Sequence, residues 1–176
     1  GEEGARVAAL CADRAVGRDI GFVGTSCCPA WALAAQRNHP RLAANISDSW
    51  TPMVETAGKI KAADPRARVV FIGPCSAKKS EAEAEAKGFV DAVLTFEELR
   101  RALAESGIDP SKVQPAIFDD VRPKNAQLFP LEGGLAKTAS IASGLLREDF
   151  VAISGSDHVK EMISHLANNA PPGLFE

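Results

Sequence analysis

The chain has no long apolar run, no excess of basic charge and few cysteines. None of its apolar stretches approaches the roughly 18 residues of a membrane-spanning helix, which predicts no membrane association. The formal net charge is −3, which indicates neither a nucleic acid nor an anionic membrane as partner. The start of the chain, Gly1 to Gly4, is acidic and lacks the basic residues of a signal peptide. We therefore predict a soluble, cytoplasmic chain.

The four cysteines are too few and too clustered for a disulfide framework. A disulfide between the neighbours Cys27 and Cys28 would be strained, because so short a ring distorts the peptide between them. Cys11 falls on the apolar stripe of a predicted helix, where a small buried hydrophobe is favoured over a metal ligand. The pattern favours a metal site or a reactive thiol in a reducing compartment.

Short apolar runs alternate with helical patterns along the 176 residues. The apolar runs predict four strands, at 20–23, 69–72, 90–94 and 150–153. Helical spacing, capping residues and breakers predict helices over 2–16, 29–37, 52–63, 78–87, 95–106, 134–145 and 154–167. Thr95 with Glu98 predicts a capping box at the start of the helix over 95–106, and the paired glycines at 133–134 predict a tight turn that feeds the helix over 134–145. The segment 168–173 is expected to break the last helix. This alternation predicts an α/β fold, with a mostly parallel β-sheet flanked by helices.

Two cysteine-bearing loops each follow a predicted buried strand. They are Thr25–Trp31, with the sequence TSCCPAW, and Gly73–Lys79, with the sequence GPCSAKK. Functional loops in parallel sheets lie at the carboxyl ends of strands, so we expect both loops along one edge of a common sheet. Thiolates are the soft ligands that zinc and iron–sulfur clusters prefer.

The cysteine spacing by itself leaves the chemistry open. It is not Cys-x-x-Cys, which excludes a zinc ribbon and a thioredoxin-like motif. Three loop cysteines fall short of the four thiolates that a cubane cluster usually takes, so a cluster needs another ligand or other sequence. Lys78 and Lys79 would favour the thiolate form of a neighbouring cysteine. The alternative is a pair of structural cysteine loops beside surface lysines.

Both loops resemble the catalytic domain in the large subunit of iron-only (FeFe) hydrogenases. The motif Thr-Ser-Cys-Cys-Pro-x-Trp at 25–31 and the motif x-Pro-Cys-x-x-Lys-Lys-x-Glu at 73–81 occur in the family's order, each after a strand. Shorter segments that resemble the family lie at Ser47 with Pro52, at 91–99, and at Phe129 with 133–134. The resemblance covers nearly the whole of 1–176, as a partial C-terminal catalytic domain of the hydrogenase large subunit.

The resemblance implies a role for each matched residue. Cys28 and Cys75 would ligate a 4Fe-4S cubane, and Cys27 would pass protons to the di-iron subcluster that completes the H-cluster. Lys78 would hydrogen-bond a cyanide ligand of the di-iron unit. The other matched residues are expected at the cofactor, namely Ser26, Pro74 and Phe129, or on the proton path, namely Ser47 and Glu3.

The implied activity is the reversible reduction of protons to dihydrogen. Its implied partners are an electron donor or acceptor such as ferredoxin and the remaining parts of a hydrogenase polypeptide. The alternative is a non-catalytic relative. That relative would be a hydrogen or redox sensor with the same cofactor, or an iron–sulfur assembly factor that carries only cubanes.

The sequence departs from the family pattern at several points. The family's downstream Cys-x-x-x-Cys motif, which supplies the remaining cubane ligand and the bridging thiolate, is not in the sequence, so we predict a fragment. Gly73 stands where catalytic members usually have Met, which is expected to open space beside the di-iron unit. Arg6 stands where the proton path usually has Glu, which replaces a proton carrier with a permanent charge. These two changes favour a diverged, sensory branch.

Three expectations follow for the isolated chain. It is predicted to hold no complete cofactor and to be inactive. Its loop cysteines, at 27, 28 and 75, are predicted to be readily alkylated or oxidised. The charged side chains after Lys78 are expected on a solvated helix face; they are Lys79, Glu81, Glu83 and Glu85.

Overall fold

A computed structural model describes residues 22–84, 86–117, 128–138, 150–169 and 173–175. The predicted helix over 2–16, with Glu3, Arg6 and Cys11, lies outside these residues. The chain divides into two compact units, one formed by 1–51 with 123–176 and the other by 52–122. Within the described ranges, no helix combines the length and apolarity needed to cross a bilayer.

The described strands and helices alternate as the sequence predicts. The strands are β1 (Phe22–Gly24), β2 (Val70–Gly73), β3 (Ala92–Thr95), β4 (Phe150–Val151) and β5 (Gly173–Phe175). The α-helices are α1 (Pro29–Asn38), α2 (Pro52–Ala63), α3 (Ala77–Ala84), α4 (Phe96–Glu105), α5 (Gly134–Thr138) and α6 (Ser156–Asn169). Short 3₁₀ helices cover Pro40–Asn45 and Pro110–Lys112.

The strands form two sheets. In the first unit the order is β1-β5-β4, and in the second unit β2 pairs with β3. Every pairing is parallel, which confirms the α/β class with parallel strands and flanking helices. The expectation of one common sheet is wrong, because β1 and β2, which precede the two cysteine loops, belong to different sheets. Alternation of strands and helices fixes their direction but not which strands pair.

The core of the first unit is built from β1, α1, the first 3₁₀ helix and α6. Its buried residues are Phe22, Ala35, Leu42, Ile163, Leu166 and Ala167. The α6 members recur at three- and four-residue spacing, which places them on one face of the helix. That face packs into the core beside Phe22 of β1, and the opposite face of α6 stays exposed.

The second unit packs α2 against the β2–β3 pair. Met53, Val54 and Ala86 are buried together, with half-buried Phe71 and Val93 packed against them. The predicted capping box at the start of α4 is confirmed. The Glu98 amide donates to Thr95 Oγ1 at 3.2 Å, and Glu98 Oε2 accepts from the Thr95 amide at 2.8 Å.

Asp91 ties the start of β3 to the end of α2 and to the residues before β2. Its carboxylate accepts from Lys61 Nζ at 2.9 Å, from Arg68 Nη1 at 2.9 Å and from the Val69 amide at 2.7 Å. These hydrogen bonds, with that of Lys61 the strongest, hold the pKa of the Asp91 carboxyl well below its usual range. The second unit therefore gains its order from charged pairs as well as from apolar burial.

Candidate functional site

The first cysteine loop joins β1 to α1. Thr25 is buried at 1% exposure, Cys27 is half-buried and Cys28 is exposed immediately before the first helical residue, Pro29. Proline suits that position, since its missing N–H would have no partner in the first turn. Thr25 Oγ1 lies 3.4 Å from Cys27 Sγ, within reach of a hydrogen bond to sulfur. The loop thus presents one thiol to solvent and holds its neighbour against a buried hydroxyl.

Trp31 fixes the conformation of this loop. Its indole Nε1 donates to the Thr25 carbonyl at 2.7 Å. The ring lies over Gly24, where an added Cβ would clash with Cζ2 and Cη2 of the indole. The glycine at the end of β1 is therefore required for the close approach of the ring. The hydrogen bond between Trp31 and Thr25 therefore joins the two ends of the motif across the cysteines.

A short serine segment lies beside the loop. The Ser26 hydroxyl donates to the Ser49 carbonyl at 2.8 Å, and the Ser49 amide donates to Ser47 Oγ at 3.2 Å. The Ser47 amide donates to the Gly24 carbonyl at 2.8 Å. The structure therefore brings Ser26 and Ser47 together beside the first cysteine loop.

Ser49 is a further member of this segment, and the residue pattern does not single it out as a site residue. It is 3% exposed, and its own hydroxyl has no hydrogen-bond partner among the residues that the structure describes. Its contribution is made through its backbone groups, which bind Ser26 and Ser47. No side-chain pattern marks such a role, so the sequence predicts only a loop with capping residues here.

An apolar pocket opens beside Cys28. Its cavity volume is about 80 Å³, and it is open to solvent on one side. Its lining residues are Cys28, Trp31, Ile153, Val159, Met162, Ile163 and Leu166. A thiol at the rim of an apolar pocket matches the soft ligand and dry surroundings that iron–sulfur clusters have in proteins. This loop therefore fits one ligand position of a cluster.

The second cysteine loop joins β2 to α3. Pro74 is exposed and Cys75 is half-buried with its thiol free. The Lys78 amide donates to the Cys75 carbonyl at 3.4 Å, so the first turn of α3 is connected to the cysteine. The loop therefore places a second thiol next to the start of a lysine-bearing helix.

Lys78 and Glu81 form a buried ion pair on α3. Lys78 Nζ donates to Glu81 Oε2 at 2.6 Å, and the two side chains are 11% and 1% exposed. The prediction of a solvated position for Glu81 is wrong. Residues three apart meet on a helix surface, and a buried ammonium needs a counter-charge. The sequence did not predict this pairing, because nothing in the polar run 78–87 distinguishes the buried Glu81 from the other glutamates.

Lys79 connects α3 to the start of α4. Its ammonium donates to Glu98, the carboxylate of the capping box. This hydrogen bond, with those from Thr95, lowers the pKa of Glu98 from its ordinary 4.5 to about 2. Lys79 is thus paired with 41% of its side chain exposed, Glu83 is exposed as predicted, and Glu85 lies outside the described residues.

Phe129 lies in the turn before α5, in the first unit, and is half-buried. The predicted tight turn that feeds a helix at Gly134 is confirmed. Gly133 has a φ of 67°, and a Cβ on Gly134 would lie 2.5 Å from the Phe129 carbonyl oxygen. The turn therefore needs both glycines. The contact of Phe129 with a cofactor stays a prediction.

The described residues supply the right type of donor but not a complete set. Cys27, Cys28, Ser26 and Ser47 lie in the first unit, and the Cys75 loop lies in the second. Within the described ranges, no group of three or more His, Cys, Asp or Glu side chains is placed to hold a metal ion. Each cysteine loop supplies a thiolate of the kind that a cubane takes, and a cubane needs four ligands.

The family of the chain follows from a comparison with known proteins. The family described as "Iron only hydrogenase large subunit, C-terminal domain" matches residues 7–170. The chain belongs to this family. The match includes both cysteine loops, the serine segment and the turn at Phe129.

Individual relatives agree with the family. The periplasmic [Fe] hydrogenase large subunit of Nitratidesulfovibrio vulgaris is 30% identical over 160 residues, which cover 78% of this chain and 38% of the relative. The cytosolic Fe-S cluster assembly factor NAR1 of Kluyveromyces lactis is 34% identical over 105 residues, 59% of this chain and 22% of that protein. The chain therefore spans well under half the length of these relatives.

A solved structure has a similar fold. The apo [FeFe]-hydrogenase HydA1 from Chlamydomonas reinhardtii superposes with a TM-score of 0.62 at 25% identity. The superposition covers 79% of this chain and 39% of that protein. The parallel α/β architecture of the chain is therefore the architecture of this part of the hydrogenase large subunit.

Proposed function

We propose that the chain is the part of an iron-only hydrogenase that carries two ligands of its cubane cluster, Cys28 and Cys75. The observation that supports this most is the intact pair of family motifs, each placed after a parallel strand with its thiol accessible. The activity of the whole protein would be the reversible reduction of protons to dihydrogen. The remaining hydrogenase polypeptide would supply the other ligands, and a ferredoxin would exchange electrons.

The residues of the chain would hold and serve the cofactor. When bound, the H-cluster supplies the electron chemistry of hydrogen conversion. The apolar pocket beside Cys28 would exclude water from one side of the cluster. Cys27, held 3.4 Å from the Thr25 hydroxyl, would carry a proton at its sulfur. Ser47 and Glu3 would lie on the path that supplies that proton.

Lys78 would donate a hydrogen bond to a cyanide ligand, with Ser26, Pro74 and Phe129 as neighbours of the cofactor. The buried pair with Glu81 supports this proposal, since it holds the Lys78 side chain in one position. A desolvated ammonium is also a stronger donor than a hydrated one.

We also propose that the protein is located in the cytoplasm. One of its relatives is named periplasmic, so fractionation of cells that express the full-length protein is the test.

Infrared spectroscopy and a hydrogen assay test the proposal together. The gene that encodes this chain is expressed at full length with the hydrogenase maturation proteins. We expect cyanide and carbonyl bands in the infrared spectrum, and hydrogen evolution with a reduced low-potential donor. A matured protein with no such bands and no hydrogen turnover would contradict the catalytic proposal.

A second candidate function is a non-catalytic relative. The 34% identity with the cytosolic assembly factor favours a protein that carries only cubanes. The changes at Gly73 and Arg6 favour a sensor with the complete cofactor. Iron without cyanide and carbonyl bands would support the assembly factor. Bands with hydrogen-dependent spectral changes, but turnover far below that of a catalytic hydrogenase, would support the sensor.

A further inference from the structure

The end of β2 has an unusual steric arrangement. Phe71 and Gly73 lie on the same face of the strand, because side chains alternate along it. A Cβ placed on Gly73 would lie 2.8 Å from Cε1 and 3.1 Å from Cζ of the Phe71 ring. Carbon atoms pack at about 3.5–4.0 Å. The Phe71 ring therefore occupies the space into which a side chain at position 73 would project.

Position 73 needs a glycine because the Phe71 ring leaves no room for a side chain, and not because of its backbone conformation. The described glycines with positive φ are Gly88, Gly107, Gly133 and Gly155. Gly73 instead continues the β2–β3 ladder, in register with Thr95. Any residue adopts such a backbone conformation, so the ring is what excludes a larger side chain.

The Phe71 ring is itself held in place. It packs against the buried residues Met53, Val54 and Ala86 of the second unit. Gly73 beneath it is buried as well. Displacing the ring would open a void in this cluster, so it is not the mobile end of a surface side chain.

We infer that Phe71 takes the place of the side chain missing at Gly73 and thereby positions the Cys75 loop. The family resemblance places a methionine at position 73 in catalytic members. In this chain one large side chain still fills the space, but it comes from two residues earlier. The ring therefore limits the space that the glycine leaves on this face of β2. The importance of the loop rests on the proposed function, in which Cys75 is a cubane ligand.

A double-mutant cycle on the metal-free 176-residue chain tests the inference. We expect Gly73→Met and Phe71→Ala each to lower the melting temperature, by roughly 3–10 °C. The double variant Phe71→Ala/Gly73→Met is expected to melt at least about 4 °C above the value that the two single changes predict by addition. The new methionine would then occupy the space that the ring has left.

The matched control uses the next residue along the strand. Ile72 points to the opposite face and is 43% exposed. Ile72→Ala/Gly73→Met is expected to be additive. If Gly73→Met does not fold, Gly73→Ala gives the same cycle with a smaller clash. Additivity of the Phe71 cycle, like that of the control, would overturn the inference.

The effect on the loop has its own measurement. In a chain whose other cysteines are changed to serine, the alkylation rate of Cys75 by iodoacetamide reports the order of the loop. Phe71→Ala is expected to raise this rate several-fold, and the double variant to return it to within about twofold of the parent rate. An unchanged rate in Phe71→Ala would overturn the positioning role.

These readouts separate the inference from the proposed function. Neither needs iron, so the cycle can fail while Cys75 still binds a cluster in the full-length protein. Conversely, a full-length protein without iron would overturn the proposed function and leave the coupling between positions 71 and 73 intact.

Discussion

The two cysteine loops are held in place by different kinds of interaction. In the first loop, neutral hydrogen bonds to backbone carbonyls dominate, from Trp31 to Thr25 and from Ser26 to Ser49. In the second loop, the following helix carries the buried ion pair of Lys78 with Glu81. The hydrogen bonds that hold the first loop are neutral, whereas the helix after the second loop carries paired charges.

This difference gives the two thiols different surroundings. Cys28 opens on an apolar pocket, whereas Cys75 precedes a helix with two paired ammonium groups. Apolar walls limit solvent access to a cluster, and charged donors stabilise its anionic ligands. We expect the two loops to respond differently to mutation and to pH.

The largest expected effect is in the second loop. Glu81→Ala removes a carboxylate that pairs with a buried ammonium, and we expect the free energy of unfolding to fall by about 3–5 kcal/mol. The double variant Lys78→Met/Glu81→Leu is expected to be close to the wild type, since it leaves no buried charge. Urea unfolding monitored by circular dichroism measures both.

The exposed pair of Lys160 with Asp157 is the matched control, because it has the same three-residue spacing on α6. Lys160→Ala is expected to cost less than about 1 kcal/mol. A loss of that small size for Glu81→Ala would show that the Lys78–Glu81 pair does not stabilise the folded chain.

A smaller effect is expected in the first loop. Trp31→Phe keeps an aromatic ring but removes the donor to the buried Thr25 carbonyl. We expect the free energy of unfolding to fall by about 1–2 kcal/mol. The same change at Trp50, which is 48% exposed, is the control and should cost less. Equal losses for the two tryptophans would remove the special role of the Thr25 contact.

The pH dependence sharpens the comparison further. Lys79 and Thr95 lower the pKa of Glu98 from 4.5 to about 2 in the folded chain. The contribution of Glu98 to stability is therefore present above pH 4.5 and is lost as the pH falls toward 2. Between these values, Glu98→Gln should make the unfolding free energy less dependent on pH. Urea unfolding from about pH 2 to about pH 6 measures this slope.

The control for the pH series is Asp157→Asn, which removes an exposed carboxylate from the other unit. The slope of its unfolding free energy against pH should stay close to that of the parent chain over the same range. A Glu98→Gln slope equal to that of the parent would mean that the Lys79 contact does not stabilise the folded state.

The smallest expected difference concerns thiol reactivity. Cys28 is exposed, whereas Cys27 and Cys75 are half-buried. In the metal-free chain, Cys28 should therefore be alkylated several-fold faster than either of them. Mass spectrometry of peptides after timed iodoacetamide treatment gives the three rates. Equal rates would contradict the different surroundings that the structure assigns to the thiols.

The elements that the sequence predicted well have local causes. Helix α2 begins at Pro52, a residue that suits the first turn of a helix, and ends before Asp64 and Pro65, which break one. The capping box at Thr95 is equally local, because its two residues contact each other. The motif loops also follow strands as predicted, since a short apolar run precedes each of them.

The elements that the sequence did not predict depend on distant partners. Strand β5 follows a proline-rich breaker and exists through its pairing with β1 and β4 on either side. The burial of Glu81 depends on what packs over α3, which a polar sequence does not indicate. The relation of Gly73 to Phe71 depends on a side-chain rotamer. In each case the deciding contact is tertiary.

Iron binding in the full-length protein tests the central claim most directly, because two adjacent cysteines are assigned different roles. We expect Cys28→Ser and Cys75→Ser each to lose the iron of the cubane, measured as iron per protein together with the electron paramagnetic resonance signal of the reduced cluster. Cys27→Ser should keep both the iron and the signal. Full iron and an unchanged signal in Cys28→Ser and Cys75→Ser would contradict the assignment of these thiols as cluster ligands.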